Sequence, residues 1–249
     1  MKNNYLLIDY GNSYIKACIF DADADRIVET VQVPKTINAR ELFSLFRFMG
    51  DRKPSKVVES ITSVAEYVQP FNKQIEELLK ADIRVVSQRD FKDVLDLSNI
   101  KKDVFIGSDI LLSAYYASKT LKECCVFCFG TAYFGLVIKN NQIANCYLTP
   151  SITKGLEQIC KITTIPHDYI PDLYDKVNGD NTPNSFSAGA NLMIEGFVDN
   201  VVKSNNIDPK KVIITGGDAF KFGNIKKKYK EVKNVVLLGL KELVKEKKW

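Results

Sequence analysis

The chain is poor in histidine, tryptophan and methionine, with one, one and three among 249 residues. With His167 the only histidine, metal sites built on several histidines are excluded, and a His-based catalytic triad is not expected. No apolar run approaches the ~20 residues of a membrane-spanning helix, so no membrane partner is expected. The N-terminus has no basic segment followed by a signal-type apolar stretch, and the expected location is cytoplasmic. Disulfide and zinc chemistry are also poorly served. Six cysteines occur, but only Cys125 and Cys128 form a CxxC pair. That pair falls in an apolar run that reads as a strand, where positions i and i+3 face opposite ways. The cysteines are read as reduced core residues.

The composition is that of a globular protein, 45% hydrophobic and 26% charged, with a formal charge of +5. Lysines crowd the C-terminal part: Lys226, Lys227, Lys228 and Lys230, then Lys241, Lys245, Lys247 and Lys248. No base-stacking motif accompanies them. They are read as a solvated helix face and tail, and no nucleic-acid partner is expected.

The most informative stretch is Tyr5-Leu6-Leu7-Ile8-Asp9-Tyr10-Gly11-Asn12-Ser13-Tyr14-Ile15-Lys16. An apolar strand delivers Asp9 to its end, a Gly-Asn-Ser turn follows, and a second strand carries Lys16. Such a hairpin suits a phosphate cup, with backbone N–H groups near the anion and Asp9 beside a hydrated Mg²⁺. An ordinary hairpin with an exposed Asp is the plainer alternative.

Strand signals at 5–9, 14–20 and 26–33 form a meander, followed by a helix at 38–49, a strand at 56–62, a helix at 67–80 and a strand at 83–86. Gly107 opens a further helix. The order then restarts: strands at 124–129, 132–138 and 142–148, helices at 150–162 and 187–204, a strand at 211–215, a short strand at 234–238 and a helix at 239–247. The chain therefore divides into halves at 1–115 and 116–249. Leu7-Ile8-Asp9-Tyr10-Gly11-Asn12-Ser13-Tyr14 lies over Val126-Phe127-Cys128-Phe129-Gly130-Thr131-Ala132-Tyr133. Two such hairpins could face each other across a cleft. A third loop, Thr215-Gly216-Gly217-Asp218-Ala219, also follows a strand, and its glycines permit close approach to a flat or anionic group.

These three loops, in this order, resemble the actin-like ATPase and sugar-kinase superfamily, and within it the type III pantothenate kinases. Asp9 to Lys16 is similar to that family's DxGNTxxK pattern, with Ser13 in place of Thr. Gly107-Ser108-Asp109 resembles the start of GxDR, Gly130-Thr131-Ala132 the end of DxGTA, and Thr215-Gly216-Gly217 the TGG loop. Thr182, followed by Ser187-Ala188-Gly189, Gly196 and Asp199, resembles the T-x(6)-G stretch and the helix after it.

The resemblance implies an α/β fold of two ribonuclease-H-like halves with an ATP cleft between them. It also implies a homodimer and ATP-dependent phosphorylation of pantothenate, the first step of coenzyme A biosynthesis. By matching position, Asp9, Gly11, Asn12, Ser13 and Lys16 line the ATP phosphates, with Asp9 holding Mg²⁺ through water. Gly130, Thr131, Gly216 and Gly217 contact ATP. Gly107, Ser108, Asp109 and Thr182 meet the substrate, and Asp109 takes its proton. At the start of a helix, Asp109 is expected to stay ionised by the dipole.

The departures fall on chemistry. The family's cation-binding Asp of DxGTA is Cys128, a soft and mostly neutral ligand, so a K⁺ or NH₄⁺ requirement is expected to be lost. The Arg of GxDR is Ile110, which cannot form bidentate hydrogen bonds. The family's substrate-contacting Tyr, seven residues before Gly107, is Ile100. The family's GGxIxPG turn reads Asn145-Cys146-Tyr147-Leu148-Thr149-Pro150-Ser151. Three readings stay open: a diverged pantothenate kinase, a kinase for another small hydroxyl substrate, and an impaired paralogue that binds nucleotide and acts by interaction, for instance in a heterodimer.

Overall fold

The computed structural model describes residues 3–46, 53–101, 104–165 and 178–249. His167 and the last part of the helix expected at 38–49 lie outside them. The chain forms two compact units. One comprises Met1–Asp96, Ile100–Tyr116 and Asn234–Trp249, and the other Leu97–Asn99 and Ala117–Lys233. These units differ from the halves 1–115 and 116–249 chiefly in the last helix, which belongs with the first unit.

The first unit holds β1 (Asn4–Tyr10), β2 (Tyr14–Asp21), β3 (Arg26–Pro34), α1 (Ala39–Ser44), β4 (Lys56–Ile61), α2 (Ala65–Leu79) and β5 (Ile83–Val85). Its sheet runs β3-β2-β1-β4-β5, with an antiparallel meander on one side of β1 and parallel β4 and β5 on the other. Strand alternation sends Leu6, Ile8 and Tyr10 to one face, where Val68, Phe71, Ile75 and Leu79 of α2 cover them. Helix α3 (Ser108–Thr120) begins in this unit.

The second unit repeats the plan. It contains β6 (Glu123–Phe129), β7 (Ala132–Lys139), β8 (Gln142–Pro150), α4 (Ile152–Ile162), α5 (Thr182–Ser204), β9 (Val212–Thr215), α6 (Gly223–Lys228) and β10 (Lys230–Glu231). The sheet order β10-β9-β6-β7-β8 is that of the first sheet, with the same strand directions. Cys125, Phe127 and Phe129 occupy the positions of Leu6, Ile8 and Tyr10, and α5 covers them with Ala190, Ile194 and Val198. The repeat read from the loops is therefore a repeat of packing.

Three expectations need correction. Residues 234–238 are not a strand: Val235 opens helix α7 (Val235–Lys247), and the fifth strand is the two-residue β10. The run Val235-Val236-Leu237-Leu238 is too short for period alone to decide. Buried Leu237, Leu240 and Val244 recur at helical spacing. Helix α5 starts at Thr182, not 187. The Asn181 side chain accepts from Asn184 N at 2.9 Å, and Pro183 sits in the first turn. The cysteines form no disulfide, but only Cys18, Cys124 and Cys125 are buried, while Cys146 is exposed. The C-terminal lysines are largely ion-paired within each unit. Lys241 and Lys245 share Asp25 at 3.0 and 2.7 Å, and Lys228 meets Asp199 at 2.6 Å. Such surface pairs contribute little stability each, and they fit a solvated face.

Candidate active site

In the first unit, the ends of β1 and β4 and the start of α3 bring carboxylates together. Asp9, the penultimate residue of β1, is paired in register with Lys16 on β2 and with Ser60 on β4. Burial pushes the Asp9 carboxyl up to about 7, the Lys16 charge opposes this, and the Asp109 charge adds to it. Asp9 and Asp109 thus lie close enough to feel each other. A donor set of two strained carboxylates fits a divalent cation, which would relieve both burial and repulsion. Among the described residues no group of three or more His, Cys, Asp or Glu could hold a metal. Mg²⁺ would therefore take most of its ligands from phosphate and water, as it commonly does.

Asp109 stands in the first turn of α3. Burial raises its carboxyl above the usual range, although the Ile110 N–H donates to Oδ1 at 2.9 Å and opposes the shift. Desolvation outweighs that hydrogen bond in the direction of the shift. Gly107 makes room for this carboxylate: a Cβ there would lie 2.5 Å from Asp109 Oδ1. Gly107→Ala should therefore swing the carboxylate away. Turnover is expected to fall at least about tenfold with little change in melting temperature, which steady-state kinetics beside a thermal melt would check.

Sequence reasoning missed Ser60. Its hydroxyl lies 2.8 Å from that of Ser108, a buried contact, and Ser108 also reaches the Ile61 carbonyl at 3.4 Å. Ser60 thus braces the first turn of α3 from the strand residue beside Asp9. An isolated serine within Val57-Val58-Glu59-Ser60-Ile61 carries no motif, and only the parallel register exposes the link.

The hairpins are tight. Gly11 N donates to Tyr14 O at 3.0 Å and Gly130 N to Ala132 O at 3.3 Å, so each glycine N–H closes its own turn. That leaves Asn12 and Ser13 at the tip of the first turn and Thr131 at the tip of the second. The second hairpin is one residue shorter: Tyr10 pairs with Ile15, but Phe129 pairs with Tyr133. Lys16 therefore corresponds to Phe134, not to Gly135. Cys128, half-buried where Asp9 has its counterpart, is paired in register with Phe134 and Thr215. A thiol is a soft ligand, poorly matched to a hard monovalent cation.

In the second unit the glycine loops interlock. Gly216 has φ +103°, and a Cβ there would lie 2.4 Å from the Phe129 carbonyl oxygen. Asp218 N donates to that same oxygen at 2.8 Å. The Gly216-Gly217 loop is thereby seated on the residue that precedes Gly130. Thr182 stands exposed at the first position of α5, and among the described residues no hydrogen bond ties it to either loop. Ile110 and Ile100 are both half-buried.

The profile of the type III pantothenate kinase family matches residues 5–204. The chain belongs to that family. A type III pantothenate kinase of Malacoplasma penetrans is 26% identical over 254 residues, covering 98% of both chains. Among solved structures, a Campylobacter jejuni protein described as a Baf family transcriptional activator aligns with a TM-score of 0.59 at 18% identity, covering 98% of each chain. A ROK hexokinase from Thermus thermophilus aligns at 0.50 with 13% identity, over 99% of this chain and all of the other. At such identities these structures establish the fold alone. With the two repeated sheets, they place this type III pantothenate kinase family member in the actin-like ATPase and sugar-kinase fold. Among the described residues, no helix is long and apolar enough to cross a membrane.

Proposed function

We propose that the protein transfers the γ-phosphoryl group of ATP to the primary hydroxyl of pantothenate, giving 4'-phosphopantothenate for coenzyme A synthesis in the cytoplasm. The observation that carries this reading is the pair Asp9 and Asp109, held together by β1, β4 and α3 and both shifted by burial. Phosphoryl transfer has a loose transition state, so catalysis is mostly positioning and charge neutralisation. Lys16 and the Asn12-Ser13 tip meet the phosphates. Asp9 is the anchor for Mg²⁺, which when bound neutralises the phosphate oxygens. Asp109 orients the substrate hydroxyl and accepts its proton as the bond to phosphorus forms. The Gly130-Thr131 and Gly216-Gly217 loops take the nucleotide, and Thr182 the acceptor. The working form is a homodimer. In the second unit Leu148, Ile162, Leu192 and Met193 are exposed by 67, 80, 63 and 67%, which supports an apolar interface with a second copy.

Purified protein with ATP, Mg²⁺ and pantothenate should form 4'-phosphopantothenate, detected by mass spectrometry. Because Cys128 does not fit K⁺ or NH₄⁺, the rate should change less than about twofold when either is added. No product with or without these cations would overturn the pantothenate assignment. Ile110 and Ile100 favour a second reading. Their side chains cannot replace the family's Arg and Tyr contacts, so another small alcohol, or nucleotide binding without transfer, is the alternative. Offering a panel of small hydroxyl compounds in the same assay separates those two.

A further inference from the structure

Asp218 is the hub of a polar cluster that binds three segments of the second unit. Its Oδ2 accepts from the Tyr133 hydroxyl on β7 at 2.9 Å and from Thr153 Oγ1 in the first turn of α4 at 3.4 Å. Its Oδ1 meets Lys221 Nζ at 2.9 Å, and that ammonium also reaches Thr153 Oγ1 at 3.4 Å. The backbone joins in, since Asp218 N donates to Phe129 O at 2.8 Å.

Tyr133 is fully buried, and burial holds its hydroxyl in the neutral, donating form. Its ring meets those of Phe129 and Phe222 edge-on, with centroids 5.2 and 6.1 Å away. The ring packing leaves the hydroxyl little choice of direction. Tyr133 lies two residues after Thr131, and Asp218 lies one residue after Gly217. The hydrogen bond between them therefore spans from one glycine loop to the other. A second spacer runs in parallel through the Phe129 carbonyl. A hydrogen bond accepted by a carboxylate is the stronger kind, and Lys221 and Asp218 are both partly shielded from water.

We propose that Tyr133 and Asp218 form a latch that fixes the Gly130-Thr131 hairpin and the Gly216-Gly217 loop in one ATP-binding geometry, making both of them positioning residues. This rests on the reading of those two loops as nucleotide contacts. Neither side chain needs to touch ATP. A preorganised pair of loops binds without first losing conformational freedom, whereas a loose pair loses that freedom on every binding event. The latch therefore acts on nucleotide affinity and leaves the acceptor site alone.

The test uses Tyr133→Phe, which removes one oxygen and keeps the ring packing, and Asp218→Ala, which removes both carboxylate oxygens. Affinity for a fluorescent ATP analogue and for ATP itself is measured well below the melting temperature, beside KM for ATP and for pantothenate. Each variant should weaken nucleotide binding about tenfold and raise KM for ATP alike, with KM for pantothenate and kcat at saturating ATP nearly unchanged. The double variant should be no weaker than Asp218→Ala alone, because that variant already breaks the Tyr133 link. A purely structural role would lower the melting temperature without this selective shift. Wild-type affinity retained in both variants overturns the latch and leaves the loops as nucleotide contacts. Wild-type protein that binds no nucleotide overturns the reading of the loops, and the latch falls with it.

Discussion

Replacing Asp109 by Asn is expected to lower the turnover of phosphoryl transfer about 10²- to 10⁴-fold, the usual contribution of a positioned proton acceptor. Asn keeps the size of the side chain, and its amide oxygen can still accept from the Ile110 N–H that now serves Oδ1 at 2.9 Å. The first turn of α3 should therefore survive. What disappears is the ability to take a proton. ATP affinity should hold, because Asp109 and Asp9 repel each other and removing one charge eases ionisation of the other. The wild-type rate should also show an acid limb, since burial raises the Asp109 carboxyl. As pH falls through that limb Asp109 takes up a proton and loses its role as acceptor. Steady-state kinetics of D109N across pH, beside direct ATP binding, checks each part. A variant within tenfold of wild-type turnover would remove Asp109 from the proton-accepting role.

Much of this arrangement could be read from the chain because it is local. The match of Leu7 to Tyr14 with Val126 to Tyr133 makes the duplication visible, and the packing of Leu6, Ile8 and Tyr10 and of Cys125, Phe127 and Phe129 repeats it. Short apolar runs carry less. Val235 to Leu238 suits a strand by composition, and only the burial of Leu240 and Val244 further on makes it a helix. Loop length was also misjudged. Matching Gly11 to Gly130 is sound, but the turn after Gly130 is one residue shorter, which moves Phe134 into the place of Lys16. Nothing local signals that Asp218 joins Tyr133, or that Ser60 braces Ser108, because both links cross strands far apart in sequence. The Asp109 shift is hidden for the same reason: a helix start is visible in sequence, but the desolvation that raises the carboxyl comes from tertiary packing.

Glu59 should carry a large pH-dependent stability effect although it lies outside the proposed reacting groups. It sits fully buried on β4, adjacent in register to Ile8, and no motif draws attention to it. Asn72 Nδ2 on α2 donates to its Oε2 at 2.7 Å, while Glu59 Oε1 and Asn72 Oδ1 are both buried without a partner. A proton on Oε1 would remove the charge from a fully buried side chain with an orphaned acceptor, so the neutral acid suits the site better than the anion. Burial accordingly raises the carboxyl to about 7, against the opposing hydrogen bond from Asn72. The sign follows from comparing the two states. The unfolded chain releases this proton near 4.5, whereas the folded chain keeps it until about 7. Between those values the folded state binds more protons, so stability falls as pH rises, by about 1.4 kcal/mol per unit at most. By pH 8 the loss from Glu59 alone amounts to about 3 kcal/mol, and Asp9 adds to it in the same direction. Glu59→Gln removes the ionisation while keeping the shape and a partner for Asn72. The variant should match wild type near pH 5 and exceed it by about 3 kcal/mol at pH 8. Urea unfolding at the two pH values, run beside Asp9→Asn to account for the other carboxylate, measures this. Equal pH dependence in wild type and E59Q would mean that the buried carboxyl is ionised in the folded chain at little cost.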